Sequence, residues 1–192
     1  MSDEKRPYRK KRRAELEEET RLRITESAVA LHGSLGPART SMSAVAEHAG
    51  VPRSTLYRHF PDEEALFEAC SAHWEAANPP PDIAEWAGIE DPDARLRAAL
   101  EAMYAYYRQT EAMMANLLRD VEVPAAGAGM AAFAEYLEAT RGTLLRGRPR
   151  RRAVRAAIGH ALAFTTWQSL ARDQQLDDQQ AVELMCRLVA AA

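Results

Sequence analysis

The chain has 192 residues, a net charge of −3 and 47% apolar residues, a globular composition that excludes a disordered tail and suits one large domain or two small ones. No apolar run reaches the ~20 residues that span a bilayer, and the start lacks an apolar signal-peptide core. The two cysteines, Cys70 and Cys186, make no disulfide framework, so the expectation is a soluble, reduced, cytoplasmic protein.

Abundant Ala and few β-branched residues favour helix throughout. Residues 1–12 read as a flexible basic arm, carrying Lys5, Arg6, Arg9, Lys10, Lys11 and Arg12. A first helix is expected from Arg13 to Gly33, with Ile24, Ala28 and Leu31 on one face, stopped by Gly33, Gly36 and Pro37. A short second helix follows Ser41, whose hydroxyl suits a cap, and turns Val45, Ala46 and Ala49 inward. Gly50 supplies a turn that needs left-handed backbone angles. Pro52 starts a third helix and Pro61 ends it. Asp62 caps a fourth, with Glu63 and Glu64 in its first turn and Leu66, Ala69 and Cys70 facing inward. The run Asn78-Pro79-Pro80-Pro81-Asp82 is a stiff break and the expected domain boundary.

Beyond it, Leu96, Leu100, Met103, Tyr107, Thr110, Met114, Leu117 and Val121 mark one face of a long helix from Asp91 to Val121. Pro124, Gly127 and Gly129 are expected to break the chain before a helix from Met130 to Leu145. After a basic break at 146–152 come two helices, Ala153–Arg172 and Asp177–Ala191. The third helix offers Arg53, Ser54, Thr55, Tyr57, Arg58 and His59 on its open side, donors and flat rings suited to phosphates and base edges in a major groove. Small Ala46 lets the second helix approach the third, while Val45, Val51 and Leu56 fix their angle.

In this stretch Val45-Ala46, Ala49-Gly50-Val51, Thr55-Leu56-Tyr57-Arg58-His59-Phe60 and Leu66 stand in the order of the tetracycline-repressor (TetR) family, which the sequence resembles. The resemblance covers about a quarter of the chain. It implies an all-α fold: a three-helix helix-turn-helix head at 13–60, a connecting helix at 61–78 and a helical regulatory and dimerisation body at 79–192. It assigns phosphate contacts to Tyr57 and Thr55, base reading to Arg53 and Ser54, and backbone or base-edge contacts to Ser41 and Ser43. His59 would support a phosphate contact. Many members carry a Lys two residues after the Pro61 position; here Asp62, Glu63 and Glu64 occupy that stretch. The basic arm is expected to compensate.

The function implied is sequence-specific regulation of transcription, as a repressor released from a palindromic operator by a small molecule. The partners implied are double-stranded DNA, an effector of unknown identity and a second copy bound through the last two helices. Met103, Tyr107, Met114, Phe133, Phe164 and Trp167 are candidates to line the effector pocket, though their helical spacing equally fits ordinary core. No catalytic constellation, cofactor motif or metal-ligand spacing stands out: Gly127-Ala-Gly129-Met-Ala-Ala132 lacks the preceding strand of a dinucleotide site, and Cys70 with His73 lacks a partner pair. The chain therefore reads as no enzyme. The alternatives are a helical small-molecule carrier or enzyme, and a protein–protein adaptor that uses the head without DNA.

Overall fold

A computed structural model describes residues 5–192, with side chains from Lys11 onward except that of Ala125. Its helices are α1 (Lys5–Ser34), α2 (Met42–His48), α3 (Arg53–His59), α4 (Glu63–Ala77), α5 (Ala84–Ala87), α6 (Pro92–Arg119), α7 (Pro124–Leu144), α8 (Arg152–Leu162), α9 (Phe164–Gln168) and α10 (Asp178–Ala190). No strand forms among the described residues. The chain divides into two compact units, one of residues up to Asn78 with Asn116–Gly127, the other of Pro79–Ala115 with Ala128–Ala192.

In the first unit, α1 begins at Lys5 and not at Arg13, so the expected flexible arm is helical from that point. Residues 1–4 lie outside the described residues. The physical reason is local: Arg, Lys, Glu and Ala are good helix formers, and Pro7 falls in the first turn, where its missing N–H costs nothing. One helical turn apart, Arg13 pairs with Glu17 at 3.0 Å and Lys11 with Glu15 at 4.0 Å. A 3₁₀ turn, Pro37–Arg39, follows α1 and was not expected.

Ile24, Ala28, Val45, Ala46, Leu56, Phe60, Leu66 and Cys70 close a small apolar core, with Leu31, Val51 and Ala69 packed at its edge. Three local signals act as expected. The Ser41 side chain accepts the Ala44 N–H at 3.2 Å, Asp62 accepts the Ala65 N–H at 2.8 Å, and Gly50 sits at φ 64°. Pro52 is the cap of α3 and stands one residue before its first turn.

Residues 116–127 also belong to this unit. Asn116 donates to the carbonyls of His32 and Gly33 at 3.0 and 2.8 Å, and Arg119 to that of Leu35 at 2.8 Å. Asp120 accepts the Ala38 N–H at 3.1 Å. Asn116 and Arg119 thus donate to carbonyls around the end of α1, and Asp120 takes an N–H of the 3₁₀ turn that follows it. They also explain why the periodic face of α6 fails at its end: Leu117 is half-buried and Val121 exposed, while Asn116 and Asp120 turn inward.

In the second unit the face of α6 from Leu96 to Met114 is buried as its period requires. The short helix α5 was not expected. Helix α7 starts at Pro124, ahead of the expected Met130, because Pro in the first helical position is preset for a helix and Gly127 and Gly129 are carried inside it. The expected single helix 153–172 is broken. Ala163 is extended, at φ −72° and ψ 133°, between α8 and α9, and a wide turn, Ser169–Asp173, follows. Neither Pro nor Gly marks the break. Two tyrosines of α6 supply its cause: Tyr104 donates to the Ala161 carbonyl at 2.9 Å and Tyr107 to the Leu162 carbonyl at 2.6 Å. The buried carbonyls that lose their helical partners are thereby satisfied.

Candidate nucleic-acid interface

Helices α2 and α3 are seven residues each, joined by Ala49–Pro52. Leu56 is the buried residue of α3 and fixes its rotation, so the positions on either side of it must face outward. Arg53, Ser54, Tyr57 and Arg58 are exposed, and Thr55 and His59 are half-buried. Tyr57 leaves 49% of its surface in solvent, so its ring and hydroxyl are open to a partner. No acidic residue lies between His48 and Pro61, so the open edge of α3 is uniformly basic and polar.

On α2, Ser41 is exposed and Ser43 half-buried. The Arg53 guanidinium donates to the Ser43 hydroxyl, which joins the start of α3 to the first turn of α2. The two residues expected to touch DNA from different helices are therefore neighbours. Asp62, Glu63 and Glu64 are exposed at the start of α4, where the first accepts a backbone N–H and all three suit the positive end of a helix.

The sequence reading missed Arg21. Its guanidinium lies 4.4 Å from the centre of the Phe60 ring and donates to the His59 carbonyl at 3.1 Å. It thus holds the last turn of α3 against α1. Arg21 stands three residues before Ile24, on the buried face of α1, and that spacing was the available signal. Desolvation, then the charges of Arg58 and Arg21, hold the His59 imidazole below its usual pKa despite Glu17 and Glu18. The His59 Nε2 is buried and without a hydrogen-bond partner. Cys70 meets His32 of α1 at 3.5 Å, and no group of three metal-ligating side chains exists among the described residues. Burial pushes the Cys70 thiol up to about 12, which makes it inert at neutral pH.

In the second unit, three of the other candidate pocket residues converge on Tyr107. Its ring centre lies 5.4 Å from that of Phe164, 6.0 Å from Trp167 and 6.4 Å from Phe133. Met103 joins through its sulfur, 3.3 Å from the Tyr136 hydroxyl, which also donates to the Pro81 carbonyl at 2.7 Å. Met114 is buried further along the same face of α6. All six are buried except Phe133, which is half-buried.

Residues 24–70 match the family model of bacterial regulatory proteins, tetR family, a span that contains α2, the turn, α3 and half of α4. No curated protein matches the chain. Among solved structures, a TetR-like transcriptional regulator from Rhodococcus sp. RHA1 is similar at 19% identity and TM-score 0.66, over 89% of this chain and 93% of its own. AibR, solved in complex with isovaleryl coenzyme A and operator DNA, is similar at 18% identity and TM-score 0.61, over 87% and 96%. The multidrug binding protein EbrR, complexed with imidazole, is similar at 24% identity and TM-score 0.54, over 88% and 93%. The structural likenesses carry the fold, and the match over 24–70 carries the helix-turn-helix head. Residues 24–70 thus carry a DNA-binding head of the tetR-family type, and the chain as a whole has the fold of TetR-like transcriptional regulators.

Proposed function

We propose that the protein represses transcription as a homodimer, with α3 of each copy in the major groove of a palindromic operator. The observation that carries this reading is the open edge of α3: four exposed polar or basic side chains set around one buried leucine. Arg53 and Ser54 read bases, Thr55 and Tyr57 hold phosphates, and Arg58 and His59 support the grip at the far end of the helix. Ser41 and Ser43 contact the backbone or a base edge. The basic start of α1 offsets the acidic residues at 62–64, so deletion of residues 1–12 lowers the salt dependence of DNA binding.

The second copy packs on α8 and α10. Ala153 and Ala156 of α8 and Leu188 of α10 are exposed, and small residues allow close helix approach. Two-fold symmetry then sets half-sites about one DNA turn, ~34 Å, or a multiple apart. A small apolar effector lodges among the side chains around Tyr107 and favours a head spacing that no longer fits the operator. That AibR and EbrR hold small molecules supports this reading. The protein carries no enzyme activity and acts in the cytoplasm, at the nucleoid when bound.

Selection of DNA fragments by the purified protein should return a palindrome. In a gel shift on that fragment, Arg53→Ala costs about 1–3 kcal/mol and relaxes the sequence preference. Tyr57→Ala weakens binding uniformly across sequences. Unchanged shifts with both variants would remove the DNA-reading role of α3 and leave an adaptor or carrier.

A further inference from the structure

The ten residues from Arg146 to Arg155 contain six arginines and no acid. Among the described residues two of the six meet a carboxylate: Arg148 pairs with Asp93 at 2.7 Å and Arg155 with Glu138 at 3.3 Å. Arg146 spends its guanidinium on the carbonyls of Ala87 and Thr143. Arg150, Arg151 and Arg152 are all exposed, and none meets a carboxylate among the described residues. They lead into α8, whose first turn has neither a side-chain cap nor an acidic residue, so its positive end is open.

The neighbouring interior adds further positive charge. Arg95 is only 4% exposed, yet its guanidinium meets main-chain oxygens alone, those of Ile89, Glu90 and Arg146. Its Nε and that of Arg148, a side chain 8% exposed, are buried without a partner. Desolvation, then repulsion from Arg146 and Arg148, pulls the Arg95 pKa down against the opposing charge of Asp91. Asp91 and Asp93 answer this inner charge, so the exposed arginines beside it are the ones left for a ligand.

We propose that Arg150, Arg151 and Arg152 form a phosphate-binding site on this corner, distinct in sequence from α3. Guanidinium forks match phosphate oxygens two by two, and the open turn of α8 adds backbone N–H donors aligned with the helix dipole. The site takes the phosphate of a small molecule or of a DNA backbone, since both present the same oxygens. It rests on these arginines and the open turn of α8, and stands whether or not α3 reads DNA.

The test compares the full-length protein with the triple variant Arg150→Ser/Arg151→Ser/Arg152→Ser at low salt. Calorimetric titration with inorganic pyrophosphate probes the small-molecule source, and fluorescence anisotropy with a duplex lacking any operator probes the DNA source. Loss of pyrophosphate affinity in the variant, about tenfold for each guanidinium removed, assigns a small-molecule phosphate. If pyrophosphate binds neither protein but the variant loses duplex affinity with a shallower salt dependence, the DNA backbone is the source. The triple lysine variant keeps the charge and should retain part of either effect. Equal pyrophosphate and duplex binding by wild type and serine variant overturns the proposal.

Discussion

The two units put their informative residues on opposite sides of the surface. In the first, the side chains proposed to read DNA point outward from a short helix, and a small core holds that helix in place. In the second, the residues of interest point inward, and the same aromatic rings that would meet an effector also build the core. A surface function leaves a polar residue where packing does not ask for one, as Tyr57 and Arg53 do. An interior function leaves an apolar residue where packing asks for one anyway. The contrast explains why the head is easily recognised while the contents of the body are not.

The largest effect should come from the body. Trp167→Ala removes a fully buried ring that packs on Tyr107 and Phe164 and donates to Asp178 at 3.0 Å. It should cost about 3–5 kcal/mol of stability, read by denaturant unfolding. Amide exchange should then quicken in α8 and α10 more than in α2 and α3. Equal quickening in all four helices would abolish the contrast between the units.

Next, Tyr107→Phe leaves the ring and removes the hydroxyl that serves the Leu162 carbonyl. The buried acceptor left behind should cost about 1–3 kcal/mol. A neutral result would mean that the break at Ala163 does not depend on the tyrosines. In the head, Ser41→Ala removes the cap of α2 and should cost about 0.5–2 kcal/mol. It also tests the comparison, since a capping role lowers stability at any salt concentration, whereas loss of a DNA contact changes only binding.

The smallest effect is a pH dependence. Burial lowers the pKa of His32 below its ordinary 6.5, so the unfolded chain binds that proton more readily than the folded one. The contribution is therefore fully present above pH 6.5 and is lost as the pH falls through the folded value. His32→Gln should flatten this part of the stability profile. An identical profile in the variant would place the titration elsewhere.

Much of the head could be read residue by residue. Ser41, Gly50, Asp62 and Leu56 each act through local chemistry, and each does in the structure what its type and spacing suggest. Arg21 was harder to see, because a cation on an apolar helix face gains its meaning only when Phe60 and the His59 carbonyl arrive from a distant part of the chain. Helix starts were less legible. Pro124 and Gly127 looked like breakers, but a proline at the first helical position begins a helix as readily as it ends one.

By itself, the sequence determined the helical class, the caps and turn of the helix-turn-helix, and the polar edge of α3, because these depend on residues within a few positions of one another. Only the tertiary structure decided where 153–172 would break, where the end of α6 would belong and which candidate pocket residues would meet. Tyr104 and Tyr107 satisfy carbonyls more than fifty residues away. Asn116 and Arg119 close the end of a helix more than eighty residues away. Pairings across such separations leave no periodicity to read, since either partner alone is an ordinary residue in an ordinary helix.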